Sequence, residues 1–178
     1  MRATMIEKEV VLSEVNITAR VKELGREISR DYAGCPLVVI GILNGAFIFL
    51  ADLVREITLP VEIDFIRVAS YGNSTCSSGT VNFSKDIELS IDGKDVLLVE
   101  DIVDTGKTLA CLKDILAAKK ARSIRVCALI DKKERRQAPV VVDYAGFEIA
   151  EGFLVGYGLD YAEQHRHYPA VYKIVSGV

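Results

Sequence analysis

Leu37-Val38-Val39-Ile40-Gly41-Ile42-Leu43 is an unbroken apolar run rich in β-branched residues. A strand with one wet face alternates apolar and polar side chains. A run with no polar position must be covered on both faces, which is the condition of a strand inside a parallel sheet. Val96-Leu97-Leu98-Val99 repeats the pattern, and Ile124 to Ile130 is the next strand. Val61 to Val68, Val140 to Val142, Phe153 to Val155 and Val171 to Val175 are further strand candidates.

Helical periodicity fills the gaps between these runs. Ile17, Val21, Leu24 and Ile28 fall on one helical face between Ser13 and Asp31, with Ser13 as the expected start and Gly34 as the stop. Asn44-Gly45 turns into a second helix through Phe47, Leu50, Leu53 and Val54. A third is predicted from about Thr105 to Lys120, with Leu109, Leu112, Ile115 and Leu116 inward and Lys119 and Lys120 in its last turn. Tyr71 to Thr80 is small, polar and poor in core formers, and reads as an exposed loop. Alternating strands and helices predict an α/β domain built on a mainly parallel twisted sheet flanked by helices. In such sheets ligands bind beyond the carboxyl ends of the strands.

The chain has 178 residues without repeats or linker-like stretches, so residues 1–178 read as one domain. A net charge of -3 argues against a partner that needs a broad basic surface, so no nucleic acid is expected. No apolar run follows Arg2, and the longest apolar stretches are too short to span a bilayer. A cytoplasmic location and no membrane partner are expected. Cys35, Cys76, Cys111 and Cys127 show no zinc-site spacing and read as reduced thiols.

The chemistry is concentrated where one buried strand ends: Val96-Leu97-Leu98-Val99-Glu100-Asp101-Ile102-Val103-Asp104-Thr105-Gly106-Lys107-Thr108. A helix start offers unpaired N–H groups and a positive dipole end. Thr105 and Thr108 add hydroxyl donors, and Gly106 permits close backbone approach. Together they make a cradle for a phosphate monoester. Glu100 and Asp101 carry acceptors suited to a sugar diol, directly or through a cation. Asp104, between diol readers and cradle, is placed to exchange a proton. The plain alternative makes these acids solvated turn residues and Asp104 a helix cap; three acids around one glycine turn argue against it. A P-loop would need glycine five positions before Gly106, where Asp101 stands.

This stretch closely resembles the phosphoribosyl-pyrophosphate motif of type I phosphoribosyltransferases. The resemblance extends to the hypoxanthine-guanine enzymes over nearly the whole chain, from Leu37 to Tyr168. It implies the corresponding fold, with a small hood over the strand ends formed by terminal segments. By resemblance, Glu100 and Asp101 would bind the ribose hydroxyls, and Asp104 would be the general base or acid at the purine N7. Asp104, Thr105, Gly106, Lys107 and Thr108 would hold the 5′-phosphate. Lys132 would read the 6-oxo group, which adenine lacks; by itself it reads as a surface charge. Phe153 would stack on the base, although a lone Phe beside Leu and Val usually packs in a core. Leu154 would meet the base edge through its backbone, and Asp160 would lie beside the base and help hold magnesium. Leu43, Asn44, Gly45 and Arg166 would bind pyrophosphate. Asn44 departs from relatives with Lys or Arg there, removing one charge while keeping the backbone donors. Ser70 and Tyr71 would open the mobile catalytic loop. Magnesium would be the cofactor, held by Glu100, Asp101 and Asp160, and the assembly a homodimer or homotetramer.

The implied reaction transfers the phosphoribosyl group from phosphoribosyl pyrophosphate to N9 of hypoxanthine or guanine, leaving the product nucleotide and pyrophosphate. Lys132 and the Phe153 phrase argue against orotate, adenine or uracil as the base; xanthine shares the 6-oxo group. The rival of another class is a nucleotide-sensing regulatory protein on the same fold. The densest basic cluster available to it is Lys132-Lys133-Glu134-Arg135-Arg136, which reads more simply as a solvated turn beside the site.

Overall fold

A computed structural model of the chain describes residues 7–68 and 83–176. Strands β1 (Glu7–Leu12), β2 (Leu37–Ile42), β3 (Val61–Val68), β4 (Phe83–Lys85), β5 (Asp95–Val103), β6 (Ser123–Asp131), β7 (Tyr144–Glu148), β8 (Leu154–Val155) and β9 (Val171–Ser176) accompany helices α1 (Glu14–Asp31), α2 (Phe47–Glu56) and α3 (Lys107–Ala118). Six strands form one sheet in the order β4-β3-β2-β5-β6-β7. The β3–β2–β5–β6–β7 ladder is parallel throughout and only β4 runs antiparallel. The α/β architecture expected from the two-sided apolar runs is the one observed.

The sheet's two faces divide each run by parity. Leu37 and Val39 of β2, Leu97 and Val99 of β5, and Cys127 and Leu129 of β6 pack with Ile17, Val21, Leu24 and Ile28 of α1 and with Phe49, Leu50 and Leu53 of α2. Val38, Ile40 and Ile42, Val96 and Leu98, and Val126 and Ala128 pack on the other face with Leu109, Leu112 and Leu116 of α3. This is why the central runs Leu37–Ile42, 96–99 and 126–130 hold no charged position. Each fully buried aliphatic side chain contributes about 1.5–3 kcal/mol. Ser13 caps α1, accepting from the Asn16 N–H at 3.2 Å.

The α2 and α3 crossovers leave from adjacent strands and diverge to opposite faces. The carboxyl ends of β2 and β5 therefore form a topological switch point, where a crevice opens. Over these ends lies a second, antiparallel sheet, β1-β9-β8. Its Leu12, Leu154 and Val171 join the α1–α2 core, so the hood is seated on the same apolar layer.

Several boundaries differ from expectation. α3 ends at Ala118, so Lys119 is its C-cap and Lys120, at φ 64°, lies beyond it; neither is in the last turn. Val140 to Val142 is no strand. Val140 turns back on Ala138, its carbonyl accepts from Arg136 at 2.8 Å, and Val141 is exposed. The ladder starts after Asp143, which exchanges hydrogen bonds with the backbone of Val126, and runs through Tyr144-Ala145-Gly146-Phe147-Glu148. An edge strand with alanine and glycine has no apolar signature. β1 and β4 were likewise without one. Cys35 and Cys127 are free thiols as expected, whereas Cys111 is disulfide-bonded. Among the described residues no helix is long and apolar enough to cross a membrane.

Candidate active site

β5 delivers Glu100 and Asp101 at its carboxyl end, and the chain turns through Asp104-Thr105-Gly106 into α3. Gly106 takes φ 77°, a left-handed conformation that suits glycine, and caps α3 without a side-chain hydrogen bond. The first amide of α3, that of Lys107, donates to Thr105 Oγ1 at a long 3.5 Å, and the positive end of the helix faces the turn that is expected to cradle a phosphate. Asp104 does not act as the N-cap. Its Oδ2 meets Arg135 at 3.1 Å, and its Oδ1 is buried without a hydrogen-bond partner.

Burial pushes both Glu100 and Asp101 above the ordinary carboxylate range, and the neighbouring Asp101 charge adds to the effect on Glu100. Two adjacent anions withdrawn from water are an unstable arrangement alone and a suitable one for a cation. Magnesium takes one or two carboxylates and completes its shell with water and substrate oxygens. The pair fits that requirement. Among the described residues no three acidic, His or Cys side chains gather into a metal-holding group. Asp160 is paired with Arg166 at 2.9 Å and accepts from the Glu163 N–H.

A cleft of about 560 Å³ is lined by Asp101, Asp104, Lys132, Phe153, Leu154 and Asp160, together with Ile102 and Leu159. Six site residues predicted from scattered positions are therefore brought to one cleft. Lys132 is only 7 % exposed, and its ammonium donates to the Gly152 carbonyl at 2.6 Å. Its neighbour Lys133 is paired with Glu148 at the surface. Phe153 is 48 % exposed, so it is not a core residue; its ring meets Tyr161 edge-on at 5.5 Å. Thr105, Gly106, Lys107, Thr108 and Glu100 do not line this cleft.

On the opposite side of Asp101 lies the Leu43–Gly45 turn, whose Leu43–Asn44 peptide is cis. A Cβ on Gly45 would fall 1.9 Å from Asp101 Oδ2. Arg166 spans from this region to the hood: it donates to the Gly158 carbonyl, pairs with Asp160 and Glu163, and borders a second cavity of about 750 Å³ beside Phe47 and Ile48. Ser70 and Tyr71 lie outside the described residues.

Arg136 is not the solvated turn residue that the sequence suggested, since it is held among backbone carbonyls. Its side chain donates to the carbonyls of Asp104 at 3.1 Å, Val103 at 3.3 Å and Val140 at 2.8 Å, and it pairs with Asp131. The Thr105 carbonyl accepts from Gln137 and Ala138. The 136–140 segment thus braces the turn between β5 and α3. No local pattern signals this, because the partners are backbone oxygens more than thirty residues upstream. The same contacts answer the basic cluster: Lys132, Lys133, Arg135 and Arg136 are each engaged by a partner within the chain.

The phosphoribosyl transferase domain family matches residues 10–162. The chain is 45 % identical over 169 residues to a hypoxanthine phosphoribosyltransferase of Salmonella typhimurium, covering 94 % of this chain and 95 % of that one. It is 48 % identical over 167 residues to a hypoxanthine-guanine phosphoribosyltransferase of Aquifex aeolicus, covering 93 % and 94 %. Its fold superposes on the crystal structure of a hypoxanthine-guanine phosphoribosyltransferase from Bacillus anthracis with a TM-score of 0.91, at 44 % identity over 96 % of this chain and all of that one.

Proposed function

The chain belongs to the phosphoribosyl transferase family, and from that premise we propose that it transfers the 5-phosphoribosyl group of phosphoribosyl pyrophosphate to N9 of hypoxanthine or guanine, releasing pyrophosphate. The observation that carries this reading is the shared cleft, which Asp101, Asp104, Lys132 and the exposed Phe153 line together.

The residues divide the work. The α3 start, with Thr105, Gly106, Lys107 and Thr108, holds the 5′-phosphate. Glu100 and Asp101 hold the ribose hydroxyls and, with Asp160, would hold magnesium. Magnesium, when bound, neutralises charge on the leaving pyrophosphate. Leu43, Asn44, Gly45 and Arg166 receive that pyrophosphate. Phe153 stacks on the base and the Leu154 backbone meets its edge. Lys132 has three N–H donors and gives one to Gly152, which leaves donors for the 6-oxo group. Purine N9 attacks C1 of the ribose, the C1–oxygen bond breaks, and its electron pair leaves with pyrophosphate. Asp104 takes the N7 proton as positive charge develops on the base, and the fixed anions steady the oxocarbenium-like ribose. Residues 1–178 work as one cytoplasmic domain, assembled as a homodimer or homotetramer.

Initial rates with phosphoribosyl pyrophosphate, magnesium and hypoxanthine, guanine, xanthine or adenine test the reading. Nucleotide forms with hypoxanthine or guanine and not with adenine. Tight phosphoribosyl pyrophosphate binding without turnover on any base would point to a nucleotide sensor instead.

A further inference from the structure

The hood turn Gly156-Tyr157-Gly158 has positive φ at all three positions, 98°, 50° and 100°. Glycine adopts such angles freely, whereas a tyrosine there is held by its surroundings. The Tyr157 ring is 6 % exposed and packs into the α1–α2 core. Its hydroxyl donates to Asp52 Oδ2 at 2.5 Å, on the outer part of α2. Asp52 is also paired with Arg55 one turn along. The Tyr157 N–H donates to the Tyr168 carbonyl, and the Gly158 N–H donates to the Arg166 carbonyl.

Two consequences meet at Gly158. A Cβ there would lie 2.0 Å from the Gly45 carbonyl oxygen, so the hood turn is pressed against the Leu43–Gly45 loop. The Gly158 carbonyl also receives Arg166 Nη1 at 2.9 Å. α2 starts at Phe47, directly after that loop. The Tyr157–Asp52 bond therefore joins both ends of one assembly: the helix that follows the loop and the turn whose Gly158 is hydrogen-bonded to Arg166.

We propose that Tyr157 and Asp52 are positioning residues, a strut that sets the spacing between the Leu43–Gly45 loop and Arg166 and so the affinity for the pyrophosphate group. The strut touches no substrate. Its effect is confined to the pyrophosphate side because Lys132 and Phe153 are held by other contacts, the Gly152 carbonyl and Tyr161. The proposal rests on the reading that this loop and Arg166 receive pyrophosphate.

Tyr157→Phe keeps the ring and removes the hydroxyl. Losing one hydrogen bond to a charged group predicts a KM for phosphoribosyl pyrophosphate raised about tenfold. The KM for hypoxanthine and kcat stay within about twofold. Asp52→Ala reproduces the change, and Asp52→Asn, which retains an acceptor oxygen, restores most of the wild-type value. Calorimetry with pyrophosphate and magnesium reads the same loss without turnover. A fall in Tm with KM and pyrophosphate affinity unchanged, or equal shifts for both substrates, overturns the strut. Inactivity of the wild type on every base defeats the functional reading alone, since the calorimetric comparison of wild type with Tyr157→Phe still decides the strut.

Discussion

Gly45 stands against Asp101 so closely that a Cβ at position 45 would penetrate the carboxylate, 1.9 Å from Oδ2 and 2.4 Å from Cγ. The loop after β2 and the acid at the end of β5 are therefore set in one piece, although Gly45 and Asp101 are 56 positions apart in the chain. Gly45→Ala must displace Asp101 or the loop. Because a shift of about 1 Å at a reacting centre costs about 100-fold, kcat/KM is expected to fall by about that factor. Circular dichroism and steady-state rates on the same preparation separate this loss from unfolding.

Asp104 has one oxygen paired with Arg135 and the other buried without a partner. Asp104→Asn keeps the shape and removes the proton acceptor. Turnover is expected to fall by about 100-fold or more, the range of general acid–base contributions, with nucleotide affinity changed much less. Equal losses in nucleotide affinity and fold stability, measured by calorimetry and thermal melting, would remove Asp104 from the proton transfer.

Lys132 is nearly buried, with its ammonium on the Gly152 carbonyl. Lys132→Gln retains a donor and loses the charge. The KM for hypoxanthine is expected to rise about tenfold or more, as a charge-assisted hydrogen bond becomes a neutral one, while the KM for phosphoribosyl pyrophosphate holds. Lys133→Gln, which removes a surface pair with Glu148, should leave both constants unchanged. Parallel initial-rate series on the two variants check the contrast.

Acid stability depends on carboxylates remote from the cleft. The Arg122 guanidinium and the Ser123 hydroxyl hold Asp95 down to about 2, against the opposing effect of burial. Burial raises Asp64, but the backbone N–H groups of Leu89, Phe65 and Glu88 outweigh it and its carboxyl stays below the usual range. A depressed folded value means stabilisation that is complete above the unfolded value of about 4 and lost as pH falls through the folded one. Thermal melts should therefore drop steeply as pH falls from about 4 toward 2. Asp95→Asn should lower Tm at pH 7 and flatten the drop; an unchanged acid slope in the variant would assign the transition to other groups.

Local pattern was sufficient wherever a residue's role follows from its neighbours in the chain. The parity of β2, β5 and β6 required two covered faces, the 17-21-24-28 spacing placed α1, and Glu100-Asp101-Ile102-Val103-Asp104-Thr105-Gly106 spelled an acidic strand end turning into a helix start. Those signals depend on backbone geometry with a period of a few residues, which sequence carries directly. The choice of β7 over Val140–Val142, the burial of Arg136 among carbonyls, the closeness of Gly45 to Asp101 and the bond from Tyr157 to Asp52 belong to the tertiary structure alone. Each depends on where two distant segments come to rest, and the partner is often a backbone oxygen that every residue possesses. A side chain that answers a carbonyl leaves no complementary letter to be read, so only the packed chain shows what it holds.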